Sequence, residues 1–340
     1  MKVLVTGGLG YIGSHTVLEL IAQGHQPVIA DNLANSESFI LDRLKELAGV
    51  DDIPFYNIDV VQYDDLAKLF DEQKPEGVIH FAAYKAVGES VEKPLMYFRN
   101  NIGSMMTLLE VMRDKDVKNL IFSSSCTVYG DSKEQPVSEK TPEQPAASPY
   151  GYTKQACERI IKDTVQATLV QAIALRYFNP TGAHPSGRIG ELPKGPPQSL
   201  TPILVSAAAG LRDELVVNGD DYDTPDGTNV RDYIHVVDLA KAHIKAIEYL
   251  EKQSKGFYDI FNVGTGKGTS VLEAIKTFEE ATKVKVPHRI GPRRAGDVVT
   301  AYADTTKINT TLGWKSEKTL AEGLADAWRW QQALIKEKRI

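Results

Sequence analysis

Lys2-Val3-Leu4-Val5-Thr6, then Gly7-Gly8-Leu9-Gly10-Tyr11-Ile12-Gly13, and further on Pro27-Val28-Ile29-Ala30-Asp31 are the stretches whose reading decides the fold. The first run is almost continuously apolar, which predicts a strand buried on both faces. Val17, Leu20 and Gly24 follow Gly13 at helical spacing, and Gly24 stands where a helix closes with a left-handed residue. The second apolar run ends on an acid. Strand, glycine turn, helix, strand and acid make a βαβ unit carrying a dinucleotide-binding fingerprint.

Each glycine has its own task. Gly7 permits the tight turn off the strand, Gly10 lets the backbone approach a pyrophosphate, and Gly13 lets the helix lie close on the strand. The helix start offers unpaired N–H groups to phosphate. Asp31 is placed to accept hydrogen bonds from a ribose diol, and its charge would repel a 2′-phosphate, so the expected cofactor is NAD rather than NADP. The spacing is G-x-x-G-x-x-G, and its weight comes from the flanking strand, helix and acid together.

The chain has 340 residues, of which 42% are apolar and 25% charged, with a formal charge of −6. Those proportions are ordinary for a globular protein, and the length allows two lobes. An acidic balance without a concentrated basic stretch argues against a nucleic-acid partner. Two cysteines, Cys126 and Cys157, make no disulfide framework and fit a reducing cytoplasm. The N-terminus runs straight into a strand and no apolar stretch is long enough to cross a bilayer, so a cytoplasmic protein without a membrane partner is expected.

Further along, Ser36 is expected to cap a helix, and Phe55–Ile58 to form a third strand ending near Asp59 and Val60. A helix over Asp64–Glu72, a strand over Gly77–Phe81, a helix near Leu95–Arg113 and a strand over Asn119–Ser123 follow. Strands alternating with helices predict an α/β fold: a doubly wound parallel sheet of Rossmann type. A helix from Tyr150 to about Ala167 and a strand over Val170–Arg176 complete it. From Tyr177 the texture changes. Residues 1–176, with a return segment 231–264, are expected to bind NAD. Residues 177–230 and 265–340 are expected to form a smaller mixed α/β lobe on the substrate side. Asp221, Asp223 and Asp226 lack the ligand order of an EF-hand, the histidines are scattered, and no metal is expected. Trp314, Trp328 and Trp330 read as packing residues.

Tyr150 and Lys154 lie four apart at a helix start and so share a face. An ammonium beside a phenol favours the phenolate, which would bring a group titrating near ~10 towards neutral pH and make it a general base. A nicotinamide cation would push the same way. Ser125, at a strand end, can hydrogen-bond the reacting hydroxyl. Tyr129 and Lys133 share the spacing, but Gly130, Asp131 and Ser132 make that match a turn.

Thr6–Gly13, Asp31-Asn32-Leu33 and His80-Phe-Ala-Ala83 resemble the extended short-chain dehydrogenase/reductase family. Lys85–Ser90, Ser123–Gly130, Arg176-Tyr-Phe-Asn179 and Arg231–His235 narrow the likeness to its UDP-glucose 4-epimerases, over nearly the whole chain. The resemblance implies a bound NAD and Tyr150, Ser125 and Lys154 as catalytic residues. It implies exchange of UDP-glucose and UDP-galactose by oxidation at C4, rotation of the keto sugar and re-reduction. By similarity the cofactor is lined by Gly7, Gly10, Tyr11, Ile12, Gly13, Asp31, Asn32, Leu33, Asn35, Ser36, Asp59, Val60, Phe81, Ala82, Ala83, Lys85, Asn100, Ser123, Tyr177 and Phe178, together with Tyr150 and Lys154. The UDP-sugar would meet Lys85, Ser125, Tyr150, Asn179, Ser199, Leu200, Val216, Val217, Arg231, Tyr233, Arg294, Asp297 and Ala301. The two arginines suit a diphosphate independently, since a guanidinium grips its oxygens bidentately, although either also suits a surface ion pair. A homodimer through the long helices is implied as well.

Two positions depart from the pattern or tune it. The family usually has Asn where this chain has Ser199, so one polar substrate contact is shortened. Ala301 falls where the family faces the sugar's 2-substituent, and a small residue there implies that N-acetyl sugars are also accepted. Two other readings compete with this one. A sugar-nucleotide dehydratase of the same family would carry an acidic pair where Cys126 and Thr127 stand, and a non-catalytic NAD sensor would need no Ser125, Tyr150 and Lys154 together.

Overall fold

In the computed structural model, which describes residues 1–294 and 297–340, β1 (Lys2–Thr6) lies inside a seven-stranded sheet. Ala295 and Gly296, the middle of the Arg294–Asp297 run, lie outside the described residues. The chain continues through α1 (Tyr11–Ala22), β2 (Gln26–Ala30), α2 (Phe39–Ala48), β3 (Phe55–Tyr56), α3 (Tyr63–Gln73) and β4 (Gly77–His80). After α4 (Val87–Glu92), α5 (Pro94–Tyr97) and α6 (Gly103–Asp114) come β5 (Asn119–Ser125), α7 (Pro149–Ala167), β6 (Gln171–Tyr177) and β7 (Asn179–Thr181). Next are α8 (Leu200–Ala208), β8 (Leu215–Asn218), β9 (Val230–Arg231), β10 (Tyr233–His235), α9 (Val236–Leu250) and β11 (Tyr258–Val263). The last elements are β12 (Thr269–Ser270), α10 (Val271–Thr282), β13 (His288–Gly291), β14 (Thr300–Ala301), α11 (Thr306–Thr311) and α12 (Leu320–Lys336).

The strand order is β11-β6-β5-β4-β1-β2-β3, parallel throughout. This is the doubly wound Rossmann-type α/β fold. Alternate residues of each strand feed opposite layers, as the two-residue period demands. Val3, Val5, Ile79 and Ile121 pack with Val17, Leu20, Leu239 and Ile247, while Leu4, Val78 and Leu120 pack with Leu69, Leu108 and Ile161. A third core, of Leu204, Val217, Ile275, Phe278 and Leu324, holds α8, β8, α10 and α12 together. Ile308, Leu312, Trp314 and Trp330 join the core of the large sheet, so part of 265–340 packs there and not only in the lobe.

Several local expectations change. The third strand stops at Tyr56, and Asp59 instead turns the chain by accepting the Val61 N–H at 3.1 Å. Ser36 does not cap α2; its hydroxyl donates to Asp31 at 2.7 Å, and Ser38 occupies the cap position without a side-chain bond. The expected helix over 95–113 is broken by a π turn at Phe98–Ile102, where Asn101 points inward. A π bulge of this kind re-aims a side chain out of helical register. The fifth strand runs two residues further than expected, carrying Ser125.

Arg176 in β6 is fully buried, with Nε donating to Glu158 Oε1 at 2.9 Å and a terminal nitrogen reaching Glu158 Oε2 at 2.5 Å. It also contacts Glu143 and lies 4.8 Å from the Tyr129 ring, and Ser124 of β5 donates to the same Glu158. Removing one partner of a buried pair strands the other charge, at a cost of about 3–5 kcal/mol. Arg176→Met is therefore expected to lower the unfolding free energy by that amount, whereas Arg159→Ala, which breaks an exposed pair with Asp163, costs less than ~1 kcal/mol. Urea titration of both variants checks this, and equal losses would contradict it.

Candidate active site

The glycine turn is shaped by contacts that leave no room for side chains. Gly7 has φ +68°, and a Cβ there would come within 3.0 Å of the Ala82 nitrogen. A Cβ on Gly13 would stand 2.2 Å from the Gly7 carbonyl oxygen, so only glycine lets α1 settle on the turn. Gly10 donates to Gly7 O at 3.0 Å and opens α1 without a side-chain cap, leaving first-turn N–H groups for an anion. At the end of β2, Asp31 accepts from Leu9 N at 3.1 Å, Leu33 N at 2.9 Å and the Ser36 hydroxyl. Asn32 accepts from Ala34 N at 3.0 Å, and Asn35 accepts from Lys194 N at 3.3 Å. This turn, with a carboxylate beside it, fits a dinucleotide diphosphate and its ribose.

The neighbouring strand end supplies the next wall. Ala82 N donates to Thr6 at 3.3 Å and Phe81 packs against His243 at 4.7 Å, with Ala83 beyond. Tyr11 donates to Gly182 O at 2.7 Å, and Lys85 pairs with Glu191 at 2.8 Å. Asn100 donates to Asn101 at 2.9 Å, and Asn101 in turn bonds Tyr84 O at 3.0 Å and Thr153 of α7 at 3.1 Å. Val60 is buried in the core with Met105; Ile12 packs on the opposite layer.

Ser125, Tyr150 and Lys154 meet where β5 ends against the first turn of α7. Ser148 caps that helix by accepting from Gly151 N at 3.1 Å, which sets the register of Tyr150. Lys154 Nζ donates to the Ser123 carbonyl at 2.7 Å and stands 5.0 Å from the Phe122 ring and 5.8 Å from the Tyr150 ring. Ser123 bonds the Tyr177 hydroxyl. The expectation that Lys154 brings Tyr150 towards neutral pH fails for the chain alone. Burial pushes the phenol up, the neighbouring Tyr177 adds to the rise, and the Ser125 hydroxyl opposes it. Burial also pushes Lys154 down to about 8, with Cys157 and Glu158 opposing. In a dry site both groups lose hydration, and burial is the largest influence on each.

Beside this face lies a second cluster. Asp297 accepts from Arg231 at 3.1 Å and from Arg294 at 3.0 Å, so both arginines share one carboxylate. Burial raises the Cys126 thiol to about 12, and the charge of Arg231 opposes that rise. Asn179 follows Phe178 and is tied to Asp232 O at 2.9 Å; Tyr233 is buried. Leu200 opens α8, with Ser199 just before it, 3.5 Å from Glu191; Val216 and Val217 lie on β8. Ala301 pairs with Arg231 through β14 and packs on the group of Val128, Tyr129, Val137 and Phe178. Asp221 pairs with Arg293, and Asp226 binds Thr228 at 2.7 Å and Ser270.

Three residues were missed by sequence reasoning. Glu191 holds Lys85, Asn101 ties the π turn to α7, and Asp232 accepts from Thr265, Gly266 and Ala303, fixing the strand that carries Ala301. The only signal was that Asp232 lies between Arg231 and Tyr233.

Because Lys154 titrates near 8 in the fold and near ~10.4 when unfolded, the unfolded chain holds more protons between those values. Stability then rises with pH across that window. Relative to Lys154→Met, the native protein should gain about 2 kcal/mol between pH ~7.5 and ~9.5 in urea melts. A difference independent of pH would mean that Lys154 keeps its proton throughout.

A family model described as GDP-mannose 4,6 dehydratase matches residues 4–327. A UDP-glucose 4-epimerase of Bacillus subtilis is 48% identical over 336 residues, covering 98% of each chain. The crystal structure of a UDP-glucose 4-epimerase from Stenotrophomonas maltophila, with bound NAD and formylated UDP-arabinopyranose, is 46% identical with a TM-score of 0.96 over 99% of each chain. One from Bifidobacterium longum, in complex with NAD+ and UDP, is also 46% identical, with a TM-score of 0.94 over 98% of each chain. With likeness of that degree from end to end, the chain belongs to the UDP-glucose 4-epimerase family of the extended short-chain dehydrogenases/reductases.

Proposed function

We infer that the chain is an NAD-dependent isomerase that interconverts UDP-glucose and UDP-galactose at C4. The observation that carries this reading is the placing of Ser125, Tyr150 and Lys154 together, beside a glycine turn whose Gly7 and Gly13 admit no side chain. NAD, when bound, supplies the hydride acceptor and donor for C4. Gly7–Gly13 would hold its diphosphate and Asp31 a ribose, with the other cofactor-lining residues around them.

Tyr150 takes the proton of the 4-hydroxyl and later returns it, and Ser125 bonds the same oxygen. Since burial alone opposes a phenolate, the base depends on positive charge close by; Lys154, anchored on Ser123 O, holds such a charge in a dry site where it acts strongly. Loss of hydride and proton leaves a 4-keto sugar. Turning that sugar about its link to the diphosphate presents the other face. Arg231 and Arg294, now paired with Asp297, hold the diphosphate, while Asn179, Ser199, Leu200, Val216, Val217 and Tyr233 hold the remainder. In this reading 1–176 and 231–264 form the NAD half, and 177–230 with 265–340 the UDP-sugar half.

The apolar residues Val87, Val91, Leu95, Met106 and Tyr152 stand exposed on α4 to α7, a surface suited to a second copy of the chain. A cytoplasmic homodimer, with neither nucleic acid nor membrane as partner, is the assembly we favour; both cysteines are free. A dehydratase would need a carboxylic acid beside Ser125. Cys126 there, with its thiol pushed up to about 12, cannot protonate a leaving hydroxyl in that way.

Two measurements test this. Tyr150→Phe should keep the fold and the bound NAD while turnover falls about a hundred- to ten-thousand-fold; near-full activity would place the base elsewhere. Ala301 is a small residue where the family faces the sugar's 2-substituent, so UDP-N-acetylglucosamine should also be epimerised. Ala301→Tyr should remove that activity selectively, since overfilling a packed site costs about 1–3 kcal/mol. The comparison is of kcat/KM for both substrate pairs, and absence of N-acetyl turnover by the native protein refutes it.

A further inference from the structure

The segment between β7 and α8, residues 182–199, crosses the ends of three adjacent strands of the sheet. Where α1 follows β1, Tyr11 donates to Gly182 O at 2.7 Å. Past β4, Lys85 is paired with Glu191 at 2.8 Å. Beyond β2, Lys194 Nζ donates to Leu33 O at 2.8 Å, its backbone N–H reaches Asn35 at 3.3 Å, and its ammonium lies 3.5 Å from Glu37. Since β4, β1 and β2 are neighbours in that order, the segment spans the whole edge on which the dinucleotide reading places NAD.

Its two halves are built differently. The first is fixed: Ala183 bridges Gly190, Ile189 is fully buried, Trp330 donates to Glu191 O at 3.0 Å, and Arg329 donates to Pro185 O at 2.6 Å. The second, Pro193–Gln198, carries Pro193, Pro196 and Pro197, which stiffen it. Between Pro193 and Ser199, the side-chain and backbone hydrogen bonds to the NAD half are those of Lys194. Leu33, which Lys194 grips, is itself held in a left-handed turn at φ +58° with its N–H on Asp31. Lys194 and Glu191 thus hold, from outside, the two loops that flank the cofactor cleft.

We propose that residues 182–199 form a strap that retains NAD, with Lys194 and Glu191 as its two fastenings. An enzyme that oxidises and re-reduces one sugar in a single visit must keep its dinucleotide between the half-reactions, and a strap anchored on α12 meets that need. The inference rests on the NAD reading above. Lys194 and Glu191 are positioning residues: they touch the loops around the cofactor, and their effect is on how fast it leaves.

The test uses the purified full chain incubated with excess isotopically labelled NAD. At intervals the protein is freed of unbound nucleotide and denatured, and the released NAD is weighed by mass spectrometry. Lys194→Ala should exchange its cofactor about tenfold faster than the native protein, since such contacts act mainly on dissociation. Lys194 is exposed, so its truncation leaves the cores intact. Glu191→Gln should also speed exchange, and Lys194→Arg, which keeps a donor, should restore slow release. Native exchange rates in both Lys194→Ala and Glu191→Gln would overturn the strap while leaving the NAD reading intact. A native protein that releases no NAD on denaturation would overturn both.

Discussion

The buried pair of Arg176 and Glu158 determines where everything catalytic stands. It fastens β6 to α7, and through Ser124 it draws in the end of β5. The three elements that present Ser125, Tyr150, Lys154 and Tyr177 are therefore referred to one carboxylate. An apolar contact could hold the same layers together, but it would let the helix slide. A guanidinium fork on a carboxylate permits one arrangement, and the surrounding hydrophobic layers make departure from it expensive.

That rigidity serves a site at odds with its own surroundings. Tyr150 and Lys154 both sit where burial disfavours their charged forms. A phenol pushed upward and an ammonium pushed downward constitute stored unfavourable solvation, tolerated because the packing does not relax around them. The chain keeps His80 neutral in the same layer, its pKa lowered to about 3 by burial, with the charge of Lys154 acting in the same direction. Apart from the Arg176–Glu158 pair, which is satisfied within itself, a ligand bearing charge of its own would meet a site prepared to respond to it.

Much of the fold was legible because steric rules wrote it into the sequence. Gly7 and Gly13 admit no Cβ, so their spacing marks the turn wherever it occurs. The apolar runs of β1, β2, β4, β5 and β6 could be read because strands buried on both faces have no polar alternation to hide them. What escaped depended on contacts distant in sequence. Ser36 looked like a helix cap, but Asp31 offered its hydroxyl a stronger partner. The π turn at Phe98–Ile102 has no composition of its own. The expectation for the Tyr150 phenol came from spacing, and spacing says nothing about desolvation. Glu191 lay in a loop whose path over the sheet no local pattern announces.

The sheet is closed at one edge by β11, a strand made some eighty residues after its neighbour β6 and separated from it by α8, β8 and α9 among other elements. During synthesis, β6 therefore leaves the ribosome with a bare edge, and its N–H and C=O groups stay without a strand partner, bonded only to water, until Val263 has emerged. The nascent chain must hold a nearly finished sheet open while the intervening segments are translated. That interval, rather than any weakness of the mature molecule, is when self-association with other copies competes most directly with folding.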